Sequence, residues 1–389
     1  MTGMGAAAAA DAGKHKMQVE KIPLLAHGDT KSLYREVFSE DTPEFVEYYY
    51  QNCAAENEIY AVKDQGRICA MLHTNPYQMR LGPWQGECCY IVAVATKEEY
   101  RHRGLMTQLL QAVMEELYQK RHPFVFLMPA AEAIYHPFDF RFLYRQRQAV
   151  LETKNLGRLK KGLKIRKARE EDTERLSAFA QKALEPYRTA AVHTKAYFSR
   201  LLKEQASQGG EVMVIEKEEA VCGYFFTSRE AGEQVREAMI APEYGEWLFP
   251  AVGEWAEREA VQVFSWPDWA DAPGLRSKKE APMMMGRVIH LEALVSCLRA
   301  REPLSLVIQV QDRWLRQNSG VWRMELSPSD GKLTRLEGEE KPAWSVDAGD
   351  FTRWAFGCAA PGELGVSAEA EKTLGRAVTL APVMLNEIV

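Results

Sequence analysis

From Cys88 to Ala95 the chain is almost continuously apolar, and shortly afterwards Leu105, Leu109, Leu110, Val113, Met114 and Leu117 recur at helical spacing. The first pattern predicts a strand covered on both faces, the second an amphipathic helix running to Gln119. Lys120, Arg121 and His122 then suit the negative end of that helix, and Pro123 stops it. Phe124-Val125-Phe126-Leu127-Met128 reads as the next buried strand. Upstream, Ile59 to Val62 and Arg67 to Leu72 are strands around the turn Lys63-Asp64-Gln65-Gly66. Asp41-Thr42-Pro43-Glu44 has the form of a helix start, with a capping side chain and an early proline.

The order strand, strand, strand, helix, strand then recurs weakly. Val212 to Ile215, the turn near Lys217 to Glu219, and Val221 to Phe226 echo the first hairpin. Val235 to Ile240, Trp247 to Ala260 and Val261 to Trp266 echo the long strand, the helix and the strand after it. From about Glu292 the pattern changes: Leu304 to Val310, Val321 to Leu326 and Leu333 to Leu336 predict strands, with Pro328-Ser329-Asp330-Gly331 turning between the last two. Phe351 to Phe356 is a short aromatic element expected to be helical. The stretch Arg141 to Arg169 is rich in Arg and Lys and reads as a solvated connection, with Gly157 to Gly162 as the linker.

A chain of 389 residues is too long for one compact core, so two or three domains are expected. Its 46% apolar and 26% charged residues are ordinary for a globular protein. A net charge of -5 argues against gripping a nucleic-acid backbone. No apolar run approaches the ~20 residues that cross a bilayer. Seven cysteines form no C-x-x-C pair, so neither a zinc site nor a disulfide framework is expected, and reduced thiols fit a cytoplasmic protein. Met1 to Met17 reads as a frayed tail: Ala6 to Ala10 precede Lys14, His15 and Lys16, the reverse of a secretory signal.

The chemistry concentrates where the long strand meets the helix. In Arg101-x-x-Gly104-x-Met106, first-turn N–H groups and the helix dipole would face an anion. Gly104 would let the backbone approach it, and Arg101 and Arg103 would add charge. After Tyr90 to Thr96, this loop resembles the pyrophosphate signature of the GNAT superfamily of N-acetyltransferases (Arg or Gln, two residues, Gly, one residue, Gly or Ala), from which Met106 departs. With the segment Leu127 to Phe140 the chain looks like the enhanced-intracellular-survival (Eis-like) acetyltransferases. That resemblance implies an α/β (α+β) protein of tandem GNAT-type mixed sheets flanked by helices, plus a C-terminal sterol-carrier-protein-like α+β domain. Its parts would be a disordered tail (1–17), a catalytic domain (18–156), a degenerate second copy (157–291) and the sterol-carrier-like domain (292–389). The second copy has Pro242-Glu243-Tyr244-Gly245 where the first has Arg101-His102-Arg103-Gly104, and so lacks basic residues for a phosphate.

By the same resemblance, acetyl-CoA is the co-substrate and no metal is needed. Main-chain groups of Val92, Ala93 and Val94 would bind the pantetheine arm and thioester. His102, Arg103, Gly104, Leu105, Met106 and Thr107, beside Arg101, would hold the pyrophosphate, and Ala130 and Ala131 would border the cofactor. Tyr135 aligns with the general acid, and the terminal carboxylate on Val389 with the general base. The acceptor would be a primary amine of a small polycationic molecule or of lysine, and the relatives form homo-oligomers, often hexamers.

Each residue also has a plainer reading. Tyr135 belongs to an aromatic run with Phe138, Phe140, Phe142 and Tyr144 that packs equally well in a core. The ending Ala381 to Val389 is apolar enough to dock into protein, where desolvation would raise its carboxylate toward a useful base, or to be a packed strand and nothing more. Glu36, Glu40, Asp41, Glu44 and Glu47 suit a cation-attracting cleft or a solvated face, and His73, Tyr77 and Trp84 suit the cleft wall or a core. The basic stretch after Arg141 would, on a functional reading, touch the cofactor's 3′-phosphate or an acidic surface. A rival function is a lipid-binding or acyl-CoA-sensing scaffold without turnover.

Overall fold

The fold is taken from a computed structural model, which describes residues 17–154, 156–229, 232–338 and 340–387. Met1 to Lys16 of the expected tail, and Val389, lie outside the described residues. The first unit runs β1 (Val19–Ile22), α1 (Lys31–Val37), α2 (Pro43–Tyr48), β2 (Glu58–Asp64), β3 (Arg67–Leu81), β4 (Trp84–Thr96), α3 (Leu105–Gln119), β5 (Phe124–Leu127), α4 (Glu132–Tyr135) and β6 (Arg141–Glu152). The Thr42 hydroxyl accepts from the Phe45 N–H at 3.2 Å, with Pro43 in the first turn, as the sequence predicts for α2. Along α3 the six apolar residues at helical spacing are all buried. Strands β1 to β4 pair antiparallel, and β4 pairs with β5 in parallel.

The second unit repeats this plan with β7 (Leu163–Lys167), α5 (Thr173–Ala183), β8 (Thr189–Ala191), α6 (Lys195–Ser207), β9 (Val212–Lys217), β10 (Ala220–Ser228), β11 (Gln234–Ile240), α7 (Leu248–Trp255), β12 (Ala260–Phe264) and β13 (Leu275–Val288). The two sheets are continuous, in the order β1-β2-β3-β4-β5-β13-β6-β12-β11-β10-β9-β7. Each unit therefore lends its last strand to the other: β13 pairs with β5 of the first unit, and β6 pairs with β12 of the second. Between them β13 and β6 pair with each other.

This corrects one expectation. The basic stretch from Arg141 to Glu152 is a central strand, not a solvated connection, because Leu143, Tyr144, Gln146, Ala149 and Leu151 are buried between the two units. Its arginines are less covered: Arg141 and Arg147 are half-buried and Arg145 is exposed.

The C-terminal part comprises α8 (Leu291–Cys297), β14 (Arg299–Ala300), β15 (Leu304–Gln311), β16 (Gly320–Leu326), β17 (Gly331–Arg335), β18 (Trp344–Asp347), α9 (Ala348–Ala355), α10 (Ala368–Leu374), β19 (Ala377–Val378) and β20 (Val383–Met384). A four-stranded sheet, β17-β16-β15-β18, is covered by α9 through Phe351 and Trp354, both buried. Arg287 of β13 and Asp312 form an ion pair of 2.6 Å with neither side chain exposed, and Arg287 also donates to the Phe138 carbonyl. The chain then returns to the large sheet: β20 pairs with β8, which itself pairs with β3. One apolar core runs through all three parts, from Leu105 and Phe126 through Tyr224 to Ile308 and Trp354.

Candidate active site

The β4–β5 ladder stops early. Its registers are Cys89 with Val125, Tyr90 with Phe126 and Ile91 with Leu127, whereas β4 continues to Thr96. On the other side, three steps of β4 from Val92 to Ala95 oppose two of β3 from His73 to Met71. Ala93 absorbs this bulge with φ at +50°, a conformation that side chains disfavour. The bulge turns β4 away from β5, so Val92, Ala93 and Val94 lie beyond the last β5 partner, half-buried. Ala130 and Ala131 follow β5 on the far side of the opening, with Met128 and Ile134 exposed beside them at 39% and 40%.

Following β4 leads to the loop Arg101 to Gly104, fully on the surface. His102 and Gly104 both take positive φ, +61° and +75°, and a side chain added at Gly104 would meet nothing within 4 Å. No side chain caps α3, and its first helical bond runs from the Gln108 N–H to the Gly104 carbonyl. The N–H groups of Leu105, Met106 and Thr107 thus lie outside the helical ladder, at the positive end of a 15-residue helix. Arg103 is braced over this end: it donates to the Glu99 carbonyl at 2.7 Å and lies 4.8 Å over the Tyr100 ring. These donors, an open glycine and two nearby arginines fit a diphosphate.

Tyr135 closes α4 and is buried, edge-on to Phe140 at 6.0 Å. Among the described residues its hydroxyl has no hydrogen-bond partner. Burial pushes the phenol up to about 12, so it keeps its proton at neutral pH. On either side of it, Glu132 and His136 line a cleft of about 860 Å³ whose opposite wall is Arg353, Phe356 and Cys358 with the returning segment at Ala381 and Val383.

The returning segment ends in a buried polar cluster that the sequence reading missed. Asn386 and Glu387 are 8% and 5% exposed. Asn386 accepts from the Gln146 amide at 2.7 Å and donates to Glu237 at 3.1 Å and to the Arg236 carbonyl at 3.0 Å. Tyr197 donates to Glu387 at 3.2 Å, and His193 faces it at 3.6 Å. Tyr77, Arg200 and Glu204 complete a chamber of about 30 Å³, room for about two waters. Burial lifts Glu204 and Glu237 to about 7. The chamber lies against the site, since Tyr77 packs on Tyr90 at 5.9 Å and on Phe126 at 6.0 Å, one register before the ladder ends. Glutamates alternating with apolar residues look like surface positions in a sequence; only Glu237, inside the apolar run of β11, carries a signal.

His73, opposite Val92, is fully buried. Asn57 donates to the Tyr49 oxygen at 3.1 Å, and the Tyr49 hydroxyl shares a hydrogen bond of 2.9 Å with His73 Nδ1. Burial, with His27 nearby, depresses His73 to about 3, so it binds a proton too weakly to serve as the base. Of the acidic residues near the first helices, Glu47 pairs with Lys31 and Arg35, Glu36 with Lys97, and Asp41 accepts from Tyr34. They form a paired surface.

In the second unit the equivalent gap is filled. β11 and β12 pair only at Gln234 with Gln262 and Val235 with Val263. Beyond, the Ala238 N–H bonds the Ser265 carbonyl, and the Trp269 indole bonds the Ile240 carbonyl at 2.9 Å. Gly245 is pressed so closely on the Trp269 carbonyl that a Cβ there would sit 2.6 Å away.

Among the described residues no cluster of His, Cys, Asp or Glu has the form of a metal site, and no helix is long and apolar enough to cross a membrane. All seven cysteines are unpaired.

Residues 26–143 match the acetyltransferase (GNAT) domain family, and residues 294–383 the sterol carrier protein domain family. No curated protein matches the chain in sequence. A conserved protein from Enterococcus faecalis V583 shares the fold with a TM-score of 0.80 at 16% identity, over 94% of this chain and 97% of that one. A GCN5-related N-acetyltransferase from Kribbella flavida gives 0.75 at 17% identity, over 93% and 95%. Eis1 from Mycobacterium abscessus gives 0.67 at 13% identity, over 93% and 97%. With a splayed strand pair feeding an uncapped helix inside the matched region, residues 26–143 are an acetyltransferase (GNAT) domain, and a sterol carrier protein domain follows at residues 294–383.

Proposed function

We propose that the protein transfers the acetyl group of acetyl-CoA directly to a primary amine of a small polycationic molecule or a lysine. One observation carries the reading: beyond Ile91 and Leu127 the main chain of β4 runs on unpaired with β5, and a short loop after β4 leads to the free N–H groups that follow Gly104. A thioester and its diphosphate need those two features at opposite ends of one groove. The main chain of Val92, Ala93 and Val94 would hold the arm and offer an N–H to the charge that develops on the carbonyl oxygen. Arg101, His102, Arg103, Gly104, Leu105, Met106 and Thr107 would hold the diphosphate, with Ala130 and Ala131 bordering it.

An alkyl ammonium, with a pKa near 10.4, attacks only after losing a proton. The carboxylate of Val389 would take that proton, directly or through water, and Tyr135 would give one to the departing thiolate. The thiol formed has a pKa of about 8.5 to 9, below that of the phenol, so the phenolate left behind would regain a proton readily before the next turnover. The lone Tyr135 hydroxyl supports this role, and the buried course of Asn386 and Glu387 toward Tyr77 supports that of Val389. Seven unpaired thiols support a cytoplasmic setting, and Leu24 and Leu25, exposed at 61% and 102%, support a homo-oligomer.

The test is CoA release with acetyl-CoA against polyamines, aminoglycosides and lysine peptides, alongside thermal shift with CoA. Amine-dependent release with a raised melting temperature is expected. A chain that CoA does not stabilise at saturation is no transferase of this kind.

A further inference from the structure

Directly behind Tyr135, the carbonyls of His136, Pro137 and Phe138 form a tight helical turn, and each is held by a side chain from outside it. The His136 carbonyl accepts from Arg141 at 3.1 Å. The Pro137 carbonyl accepts from the Trp314 indole at 3.0 Å and also from Arg313. The Phe138 carbonyl accepts from Arg287 at 2.9 Å. Trp314 packs its ring on that of Phe138 as well, with 4.7 Å between their centres. Arg313 and Trp314 belong to the sterol carrier protein domain, and Arg287 to the strand that the second unit lends.

One buried carboxylate organises these donors. Asp312 Oδ2 accepts from Arg287 at 2.6 Å and from Asn318 at 3.0 Å. Its Oδ1 accepts from the backbone N–H groups of Trp314 and Leu315, at 3.0 and 2.9 Å. The same group therefore fixes the guanidinium that reaches Phe138 and the loop that reaches Pro137.

The turn needs such support. α4 is a single turn of four residues, too short to keep its shape unaided. Among the described residues nothing bonds the Tyr135 hydroxyl, so the phenol is aimed by the main chain beneath it and by packing on Phe140. Apolar contact alone would keep the domains together. Hydrogen bonds to successive carbonyls also fix the angle of the turn, and a proton donor must lie within hydrogen-bond reach of the atom it serves.

We propose that the sterol carrier protein domain aims the general acid: Arg313 and Trp314, organised by Asp312 and joined by Arg287, hold the His136–Phe138 turn so that the Tyr135 hydroxyl meets the departing sulfur. The inference rests on the reading of Tyr135 as the acid. Arg313, Trp314 and Arg287 are positioning residues, acting through the turn.

The experiment uses the full chain, acetyl-CoA and the amine giving most CoA release in the screen above. Trp314→Phe removes the indole N–H and keeps a ring on Phe138, and Arg313→Met, at an exposed position, is the second variant should the first fail to fold. Each should lower kcat about 10-fold, with the KM for acetyl-CoA held within about twofold. In a Tyr135→Phe background the same changes should alter the residual rate by less than about twofold, because no phenol is left to aim. Wild-type kcat in folded Trp314→Phe and Arg313→Met, with Tyr135→Phe impaired, overturns the positioning role and leaves the acid intact. An equal loss with and without the phenol also overturns it, since a merely structural contact would act on both. Full activity of Tyr135→Phe removes the acid itself, and the inference with it.

Discussion

Ile91 of β4 and Leu127 of β5 are the last pair across their parallel ladder, and the main chain of β4 runs on unpartnered by β5 for five residues more. Unpaired backbone inside a sheet is costly unless something else bonds to it. The bulge at Ala93 enforces that opening, so the gap is built into the strand before any ligand arrives.

Gly104→Val should weaken acetyl-CoA binding about 10-fold or more. A side chain at φ +75° costs ~1–2 kcal/mol, and its bulk would stand where the diphosphate must approach. Calorimetric titration with CoA checks this; unchanged affinity would move the phosphate site elsewhere.

Tyr135→Phe should lower kcat about 100-fold while CoA binds as before. Because burial holds the phenol at about 12, the wild-type rate should show no alkaline fall from this group below about pH 10. A fall near pH 9 that vanishes in Tyr135→Phe would contradict that environment.

Glu237→Gln should flatten the dependence of stability on pH. Burial lifts the folded carboxyl to about 7, from an ordinary 4.5, with Glu387 adding to the effect and His193 and Asn386 opposing it. The folded state therefore keeps a proton that the unfolded chain has shed. This stabilisation is complete below about pH 4 and is lost as the pH rises through 7. Melting temperatures from pH 5 to 8 should fall more steeply in the wild type than in the variant. Parallel curves would show that Glu237 does not titrate there.

Asp312→Ala should destabilise the protein by about 3–5 kcal/mol, since it leaves the Arg287 guanidinium buried without its counter-charge. Denaturant unfolding measures it. Arg287→Met together with Asp312→Leu should recover much of the loss.

The sequence made the strand–loop–helix around Gly104 legible because periodicity changes sharply there, from an unbroken apolar run to helical spacing. The repeat was legible for the same reason. The exchange of β6 and β13 was not: which strand a strand pairs with depends on contacts more than a hundred residues apart, and Arg141, Arg145 and Arg147 gave that segment a surface-like composition. The tail cluster was hidden likewise, since Glu204 and Glu387 resemble any solvated glutamate until burial is known. Met106, a departure from the family pattern, proves half-buried on α3, with its N–H among the free ones.

Strand exchange has a consequence for how this molecule can change. Cutting between the halves would strip each of an inner strand, so neither half is a separable module. The second copy thus serves the first as architecture, through the strand it lends. Substitutions are free to change the residues that fill its gap, Trp269 among them, provided the strand it lends stays in register.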